Sequence, residues 1–348
     1  MSKQDGRIGI EIHGGDLDRA AARYGVPAAD WIDLSTGINP TPYPLPAVSS
    51  EAWTRLPLAS DLMALKAAAA AAYGANSPDL IACASGTQAL IQLLPRMLGA
   101  ARVAILGPTY SEHDVAWRAV GAATEEVADL PSPDRTVVVV NPNNPDGRAM
   151  DPARLADWAA EAAPAGHWLV VDEAFADVRP DVSLIARMPL ANVVILRSFG
   201  KFFGLAGMRL GFAVTGSDLV RRFEAEQGPW AVSGPALAVG TQALSDHAWA
   251  TDERSRLSAR MARLHGLLSG AGLRVLGGTD LFVLTENDAA GALYEQLAGE
   301  GILVRRFAGN ARWLRFGLPG PDDHWGRLEA ALSAFSGGAR GAQGIRDG

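Results

Sequence analysis

Ser198-Phe199-Gly200-Lys201-Phe202-Phe203-Gly204-Leu205-Ala206-Gly207-Met208-Arg209-Leu210-Gly211 lies between two short apolar runs, Val193–Leu196 and Leu210–Val214. Runs of about five apolar residues bounded by Gly, Pro, Asn or Asp read as fully buried strands. A lysine therefore stands at a strand end among glycines, with a hydroxyl three residues before it and an arginine eight after. The same texture repeats outward: Leu80–Ala84, Val103–Leu106, Thr136–Val140 and Trp168–Val171 are further candidate strands. Between them lie predicted helices at Gln88–Leu98, Ser111–Gly121, Pro152–Ala163 and Asp218–Glu226. Asp151-Pro152 is a good helix start, an N-cap followed by proline in the first turn. Strand and helix in alternation predict an α/β domain built on a largely parallel sheet.

After Gly228 the texture changes. A long helical stretch, Pro235–Ser269, precedes strands at Leu273–Leu276 and Leu281–Leu284, separated by the turn signal Gly277-Gly278-Thr279. A helix near Ala289–Glu300, strands near Ile302–Arg305 and Trp313–Gly317, and a helix from Asp322 to Phe335 complete a smaller α+β domain. The expected organisation is an arm over residues 1–40 packing with the small domain, a large domain over 41–230, the small domain over 231–336, and a disordered polar tail over 337–348.

The 348 residues carry a formal charge of −7, 48% apolar and 20% charged residues. That apolar share excludes a disordered chain. The acidic balance argues against a nucleic-acid surface. One cysteine, Cys83, excludes an intrachain disulfide and a cysteine-rich zinc site, and suits a reducing compartment. No signal-like N-terminus and no membrane-length apolar run is present, so a cytoplasmic protein is expected. Only Lys3, Lys66 and Lys201 are lysines, so 28 of the 31 basic residues are arginines. Chemistry that needs an amine thus has three candidates.

Lys201 with Ser198 and Arg209 suits a pyridoxal phosphate site: an amine for the carbonyl carbon, a hydroxyl and a bidentate guanidinium for the phosphate. Ala84-Ser85-Gly86-Thr87-Gln88, between a strand and a helix, offers backbone N–H groups and a positive dipole end to the same phosphate. An N-cap alone would look the same. Asn141-Pro142-Asn143-Asn144-Pro145-Asp146-Gly147 follows a strand and can donate an amide to the phenolate oxygen, although Asn-Pro and Asp-Gly also make plain turns. Asp172, in Val171-Asp172-Glu173-Ala174, places a carboxylate at a strand's C-terminal end, where α/β ligands bind. Paired with a pyridine nitrogen it would keep that nitrogen protonated. Tyr110, after Gly107-Pro108-Thr109, can stack on a ring or fill a core. The histidines other than His13 show no metal-ligand spacing and read as structural, so no metal is expected.

This ordered set, completed by Trp313-Leu314-Arg315-Phe316-Gly317-Leu318-Pro319, resembles the class I/II aminotransferases of pyridoxal-phosphate fold type I. The resemblance covers about residues 10–335, and its key positions Asn144, Asp172 and Lys201 stand 28 residues (144 to 172) and 29 residues (172 to 201) apart. It implies a fold type I architecture, with helices on both faces of the large domain's sheet, and a homodimer with shared active sites. It implies Lys201 as the Schiff-base lysine and Asp172 as the pyridine-nitrogen partner. Asn144 falls to the phenolate oxygen and Tyr110 to the ring. Ser85, Gly86, Thr87, Ser198 and Arg209 fall to the phosphate, and Arg315 to the substrate α-carboxylate. Phe175 and Leu56 depart from the pattern, standing where many relatives have tyrosines that hydrogen-bond the cofactor.

Within that family, His13-Gly14-Gly15-Asp16, the segment Leu34-Ser35-Thr36-Gly37-Ile38-Asn39-Pro40, and Gln227-Gly228-Pro229-Trp230 resemble the threonine-phosphate decarboxylase branch of cobalamin biosynthesis. That resemblance implies a phosphorylated amino acid as substrate, with His13, Gly37, Asn39, Asn144 and Arg315 at its site. Arg305, Arg306 and Arg312 lie close in sequence to Arg315 and are either phosphate ligands or solvated charges. Two other readings stay open at this point. One is an aminotransferase of histidinol-phosphate type, with the same cofactor residues. The other is a catalytically weak relative that binds a partner in a corrin-pathway complex.

Overall fold

The two apolar runs flanking Lys201 become neighbouring strands of one sheet. In chain order the strands are β1 (Ile32–Leu34), β2 (Ile81–Ala84), β3 (Arg102–Leu106), β4 (Ala123–Val127), β5 (Thr136–Val140) and β6 (Leu169–Asp172). They continue with β7 (Val193–Ser198), β8 (Gly211–Val214), β9 (Arg274–Thr279), β10 (Phe282–Glu286), β11 (Ile302–Phe307) and β12 (Asn310–Gly317). The structure, a computed structural model, describes the backbone of residues 14–344 and the side chains of residues 14–335. The chain forms two compact units. Among the described residues, one holds 14–37, 260–276 and 282–344; the other holds Ile38–Ala259 and Gly277–Leu281.

The larger unit is built on a seven-stranded sheet of order β2-β8-β7-β6-β5-β3-β4. Only β8 runs antiparallel to its neighbours. Strands β2, β5, β6 and β8 are buried along their whole length, as their unbroken apolar sequences require. Helix Thr87–Leu98 turns Leu90, Ile91, Leu94 and Met97 into a core shared with Val138, Val170, Leu196 and Trp117. Each leucine buried this way stabilises the unit by about 1.5–3 kcal/mol. The alanine tract forms helix Ala59–Tyr73, closed by Gly74 in the left-handed region at φ 77°. Strand β4, Ala-Thr-Glu-Glu-Val, has no apolar run and its side chains are largely exposed, as an edge strand permits; patterning alone does not reveal it.

The smaller unit has a five-stranded sheet of order β1-β11-β12-β10-β9. Here β1 pairs parallel to β11, and β12 pairs antiparallel to both β11 and β10. Ala20, Trp31, Ala298 and Leu303 form a buried cluster beside it, so the segment expected as an arm contributes a helix, Leu17–Tyr24, and a strand to this unit.

Four features differ from the sequence reading. The stretch 235–269 is two helices, Gly234–Ser245 and His247–Gly270, because Asp246 leaves helical geometry and its side chain caps the Trp249 N–H at 3.0 Å. Helix Gly234–Ser245 belongs with the larger unit, whose boundary falls at Ala259 rather than near residue 230. Gly240 lets it pack closely: a Cβ there would stand 2.6 Å from Leu210 Cδ2. Gly277 and Gly278 lie inside β9 rather than in a turn. A Cβ on Gly277 would stand 2.2 Å from the Asp146 carbonyl, so that glycine serves close approach. The last helix, Asp322–Gly344, runs on through nine residues after Phe335 (336 to 344), into the segment expected to be disordered.

Candidate active site

The topology brings five separated motifs to one edge of the larger sheet. Strands β2, β5, β6 and β7 all point their C-terminal ends there, and β8 begins there. Register fixes the neighbours: Gly211 is paired with Ala84 on one side and Ser198 on the other, while Asp172 is paired with Val140 and Leu196. Ser85-Gly86-Thr87, Asn144, Asp172, Ser198, Lys201 and Arg209 therefore follow or precede strand ends on the same rim.

Gly86 caps helix Thr87–Leu98 at φ 88°, and a Cβ there would stand 2.6 Å from Arg209 Nη2. The exposed guanidinium of Arg209 thus lies against a helix N-terminus. Arg209 itself takes a left-handed backbone, φ 50°. Gly211 is as constrained: its Cβ would stand 2.4 Å from the Thr87 backbone nitrogen. A cradle lined by backbone N–H groups and a guanidinium is suited to a phosphate dianion. Ser85 Oγ donates to the Ala231 carbonyl at 2.5 Å, and Thr87 Oγ1 donates to that of Arg197 at 3.1 Å.

Asp172 is buried, and its Oδ2 lies 2.9 Å from His113 Nε2; the Ala174 N–H donates to Oδ1 at 3.0 Å. His113, on helix Glu112–Ala119, is 2% exposed and sets its ring edge-on to Tyr110 with centroids 6.2 Å apart. Tyr110 in turn donates to Gln88 Oε1 at 3.3 Å. Sequence reading placed His113 among the structural histidines. Its only signal was its position three residues after Tyr110, at the start of the helix that follows. Asn144 is half-buried on a loop held by Asn143, whose Nδ2 donates to Pro108 O at 3.0 Å and Asp146 Oδ1 at 2.8 Å. Lys201 is half-buried, with Nζ 5.8 Å from the centroid of the Phe175 ring.

Under this rim lies a buried charge cluster. Arg197, one residue before Ser198, meets Glu173 Oε2 at 3.0 Å and Asp177 Oδ1 at 2.7 Å, and its guanidinium packs on the Tyr73 ring. Burial opposes its charge, but the carboxylates of Asp177 and Glu173 hold it protonated well above the ordinary arginine range. Burial also pushes Glu173 upward, against the pull of Arg197. The cluster ties the residue after Asp172 to the residue before Ser198.

The expected substrate residues fall in different places. His13 lies outside the described residues. Gly37 is buried at the end of the smaller unit's N-terminal segment. Asn39 belongs to the larger unit, 2% exposed, and its side-chain amide donates to Phe202 O and to Glu253 Oε1, both at 2.9 Å. Arg315, on β12 of the smaller unit, is buried over the Phe282 ring and donates to Ser35 O at 2.8 Å. Burial pushes its pKa down, to about 9, and the neighbouring charge of Arg305 adds to this; only Asp33 opposes. A guanidinium does not give up its proton in practice, so this environment favours an anionic partner. Arg305 is the register partner of Arg315 across β11 and β12. Arg306 instead pairs with exposed Glu295 at 3.4 Å, and Arg312 with Asp288 at 2.8 Å.

Residues 29–328 match the family model for aminotransferase class I and II. The chain belongs to the class I and II aminotransferase family. It is 46% identical over 329 residues to a threonine-phosphate decarboxylase of Pseudomonas aeruginosa, covering 93% of this chain and 97% of that one. It is equally identical, over 312 residues, to a threonine-phosphate decarboxylase of a Sinorhizobium species, covering 88% of this chain and 93% of the relative. Among solved structures it is similar to a histidinol-phosphate aminotransferase of Sinorhizobium meliloti in complex with pyridoxal-5′-phosphate, with a TM-score of 0.78 and 21% identity over 97% of this chain and 99% of that one. The α/β fold with a mostly parallel sheet is the fold type I architecture of this family.

The cofactor of this aminotransferase-family chain is pyridoxal 5′-phosphate, and the residues present fit it. The Gly86–Arg209 cradle is closed to any side chain at Gly86, a buried carboxylate ends β6, and a lysine follows β7. Among the described residues, no helix is long and apolar enough to cross a membrane, and no cluster of His, Cys, Asp and Glu could hold a metal ion.

Proposed function

We propose that this family member decarboxylates L-threonine O-3-phosphate to (R)-1-amino-2-propanol O-2-phosphate, a step of cobalamin biosynthesis. The observation that carries the reading is the Arg305–Arg315 pair, two arginines in register across two neighbouring strands, Arg315 buried and its charge opposed by that of Arg305. Two cationic side chains on one sheet face suit a ligand bearing more than one anionic group. A phosphorylated amino acid has a carboxylate and a phosphate. The 46% identity to relatives named threonine-phosphate decarboxylase supports the same substrate class.

Lys201 would hold pyridoxal 5′-phosphate covalently, with Ser85, Gly86, Thr87, Ser198 and Arg209 on its phosphate. Asp172 would pair with its pyridine nitrogen, Asn144 would donate to its phenolate oxygen, and Tyr110 would cover its ring. When bound, the cofactor supplies an electron sink for the bond broken at Cα. His113 orients Asp172 so that its carboxylate keeps one rotamer. Arg315 takes the α-carboxylate and fixes which bond at Cα stands in line to break. Arg305 takes the second anionic group. The Lys201 amine returns a proton to Cα after CO2 departs.

The fold is compatible with transamination as well, but the 21% identity to a histidinol-phosphate aminotransferase carries the fold alone. Incubation with L-threonine O-3-phosphate decides: CO2 and the aminopropanol phosphate should appear with no acceptor. Product formed only with a 2-oxo acid, without CO2, would make the enzyme an aminotransferase. A protein that takes up no pyridoxal phosphate would be neither, leaving the pathway-partner reading.

We also infer a homodimer in the cytoplasm. Leu45, Trp53, Leu56 and Trp230 are each more than half exposed and line an apolar groove of about 780 Å³ in the larger unit. Surface of that kind marks an association site. The departure at Leu56 falls within this groove. Sedimentation of the intact protein tests it: a monomer at micromolar concentration would rule the dimer out.

A further inference from the structure

Lys201 sits in a helix of only four residues, Phe199–Phe202. So short a helix gives its last carbonyls few local donors: Lys201 O takes the Gly204 N–H only at a long 3.3 Å, and further partners come from elsewhere. Chain segment 39–43 supplies them in order. The Asn39 backbone N–H donates to Lys201 O at 2.9 Å, the Asn39 side-chain amide to Phe202 O at 2.9 Å, and the Tyr43 N–H to Phe203 O at 2.9 Å. The fit is tight enough that a Cβ on Gly204, at φ 67°, would stand 2.7 Å from Asn39 O.

The Asn39 amide is committed on both sides. Its second N–H donates to Glu253 Oε1 at 2.9 Å, and its oxygen accepts the Thr41 N–H at 2.8 Å. Glu253 is 1% exposed, and its other oxygen accepts from Arg256 Nη1 at 2.6 Å. A flipped amide would set oxygen against the Phe202 carbonyl and the Glu253 carboxylate, so the buried carboxylate selects one orientation. Residues 39–43, 199–204 and 253–256 all lie in the larger unit.

We propose that Asn39 and Glu253 are positioning residues for Lys201: Glu253 fixes the Asn39 amide, and Asn39 fixes the backbone from which the reactive amine projects. This replaces the role of substrate contact expected for Asn39, and it rests on Lys201 being the lysine that carries the cofactor. A lysine that must release and recapture an aldehyde moves its side chain repeatedly. A fixed backbone returns Nζ to the same place each time, and misplacement by about 1 Å at a reacting centre costs on the order of 100-fold in rate.

The test is the rate at which the apo protein captures pyridoxal 5′-phosphate covalently, followed by its visible band and by borohydride trapping, with no substrate present. Lys201→Ala should trap nothing; trapping by that variant would remove the lysine assignment itself, separately from the clamp. Asn39→Ala and Glu253→Leu should each slow capture about tenfold or more relative to the native protein. Glu253→Gln, which keeps an acceptor for the Asn39 amide but loses the charge facing Arg256, should restore capture to within about threefold. With L-threonine O-3-phosphate, Asn39→Ala should lower kcat with KM changed less than about threefold. Native capture rates in Asn39→Ala and Glu253→Leu would overturn the proposal, as would a tenfold KM rise with kcat intact. Should Asn39→Ala not fold, the contrast between Glu253→Leu and Glu253→Gln decides alone, equal rates overturning it.

Discussion

His113 Nε2 stands 2.9 Å from Asp172 Oδ2, with both side chains almost wholly buried. Asp172 has no water to fall back on, so loss of the imidazole leaves a carboxylate oxygen unsatisfied, at about 1.5–3 kcal/mol. His113→Phe should therefore weaken retention of pyridoxal phosphate roughly 10- to 100-fold. Spectral titration of the apo variant measures it; unchanged retention would mean that Asp172 needs no second anchor.

Arg197 neutralises Glu173 and Asp177 inside the larger unit. Arg197→Met keeps the volume and strands two buried carboxylates, which is expected to destabilise by about 3–5 kcal/mol. Urea unfolding at neutral pH should show it as a lower midpoint. Acidification toward pH 4 should narrow the gap, because Glu173, whose carboxyl burial already pushes upward, then takes up a proton.

Cys83 is 5% exposed, and burial pushes its thiol up to about 12, with Lys66 partly opposing. The folded-state value lies above the ordinary 9, so this group's stabilising contribution is fully present below about pH 9 and is lost as pH rises toward 12. Cys83→Ala should lose less stability than the native protein over that alkaline window. Iodoacetamide at pH 8 should alkylate Cys83 only after unfolding; labelling of native protein would contradict the burial.

If Arg305 receives the substrate phosphate, Arg305→Met should raise KM for L-threonine O-3-phosphate roughly 10- to 100-fold, the worth of one charge-assisted hydrogen bond. Turnover of unphosphorylated L-threonine should change little. Equal losses on both substrates would assign Arg305 to the carboxylate or to structure.

Much of this was legible from residue order because buried parallel strands are short apolar runs, and ligands gather where they end. Thr136–Val140 was placed without error, and Asp172 and Ser198 emerged at strand ends as their flanking sequences require. What stayed hidden were relations set by packing rather than by pattern. Strand β4 is polar, since an edge strand needs no apolar face. His113 looks like any helical histidine until the fold sets Asp172 beside it. Asn39 is expected at the substrate, and nothing in the pattern shows that its amide is buried against Glu253, a residue 214 positions away. Gly277 and Gly278 look like a turn because the Asp146 backbone that needs Gly277 bare is 131 positions upstream (146 to 277).

The scarcity of lysine has a last consequence. Pyridoxal phosphate is an aldehyde and condenses with accessible amines indiscriminately. Lys66 is 7% exposed and held by Glu224 at 2.9 Å, so among the described residues Lys201 is the lysine left to react. Positive charge elsewhere is carried by guanidiniums, which bind anions without forming imines readily. Among the described residues the chain thereby gives its own cofactor a single address, and loading at Lys201 should stop at one equivalent.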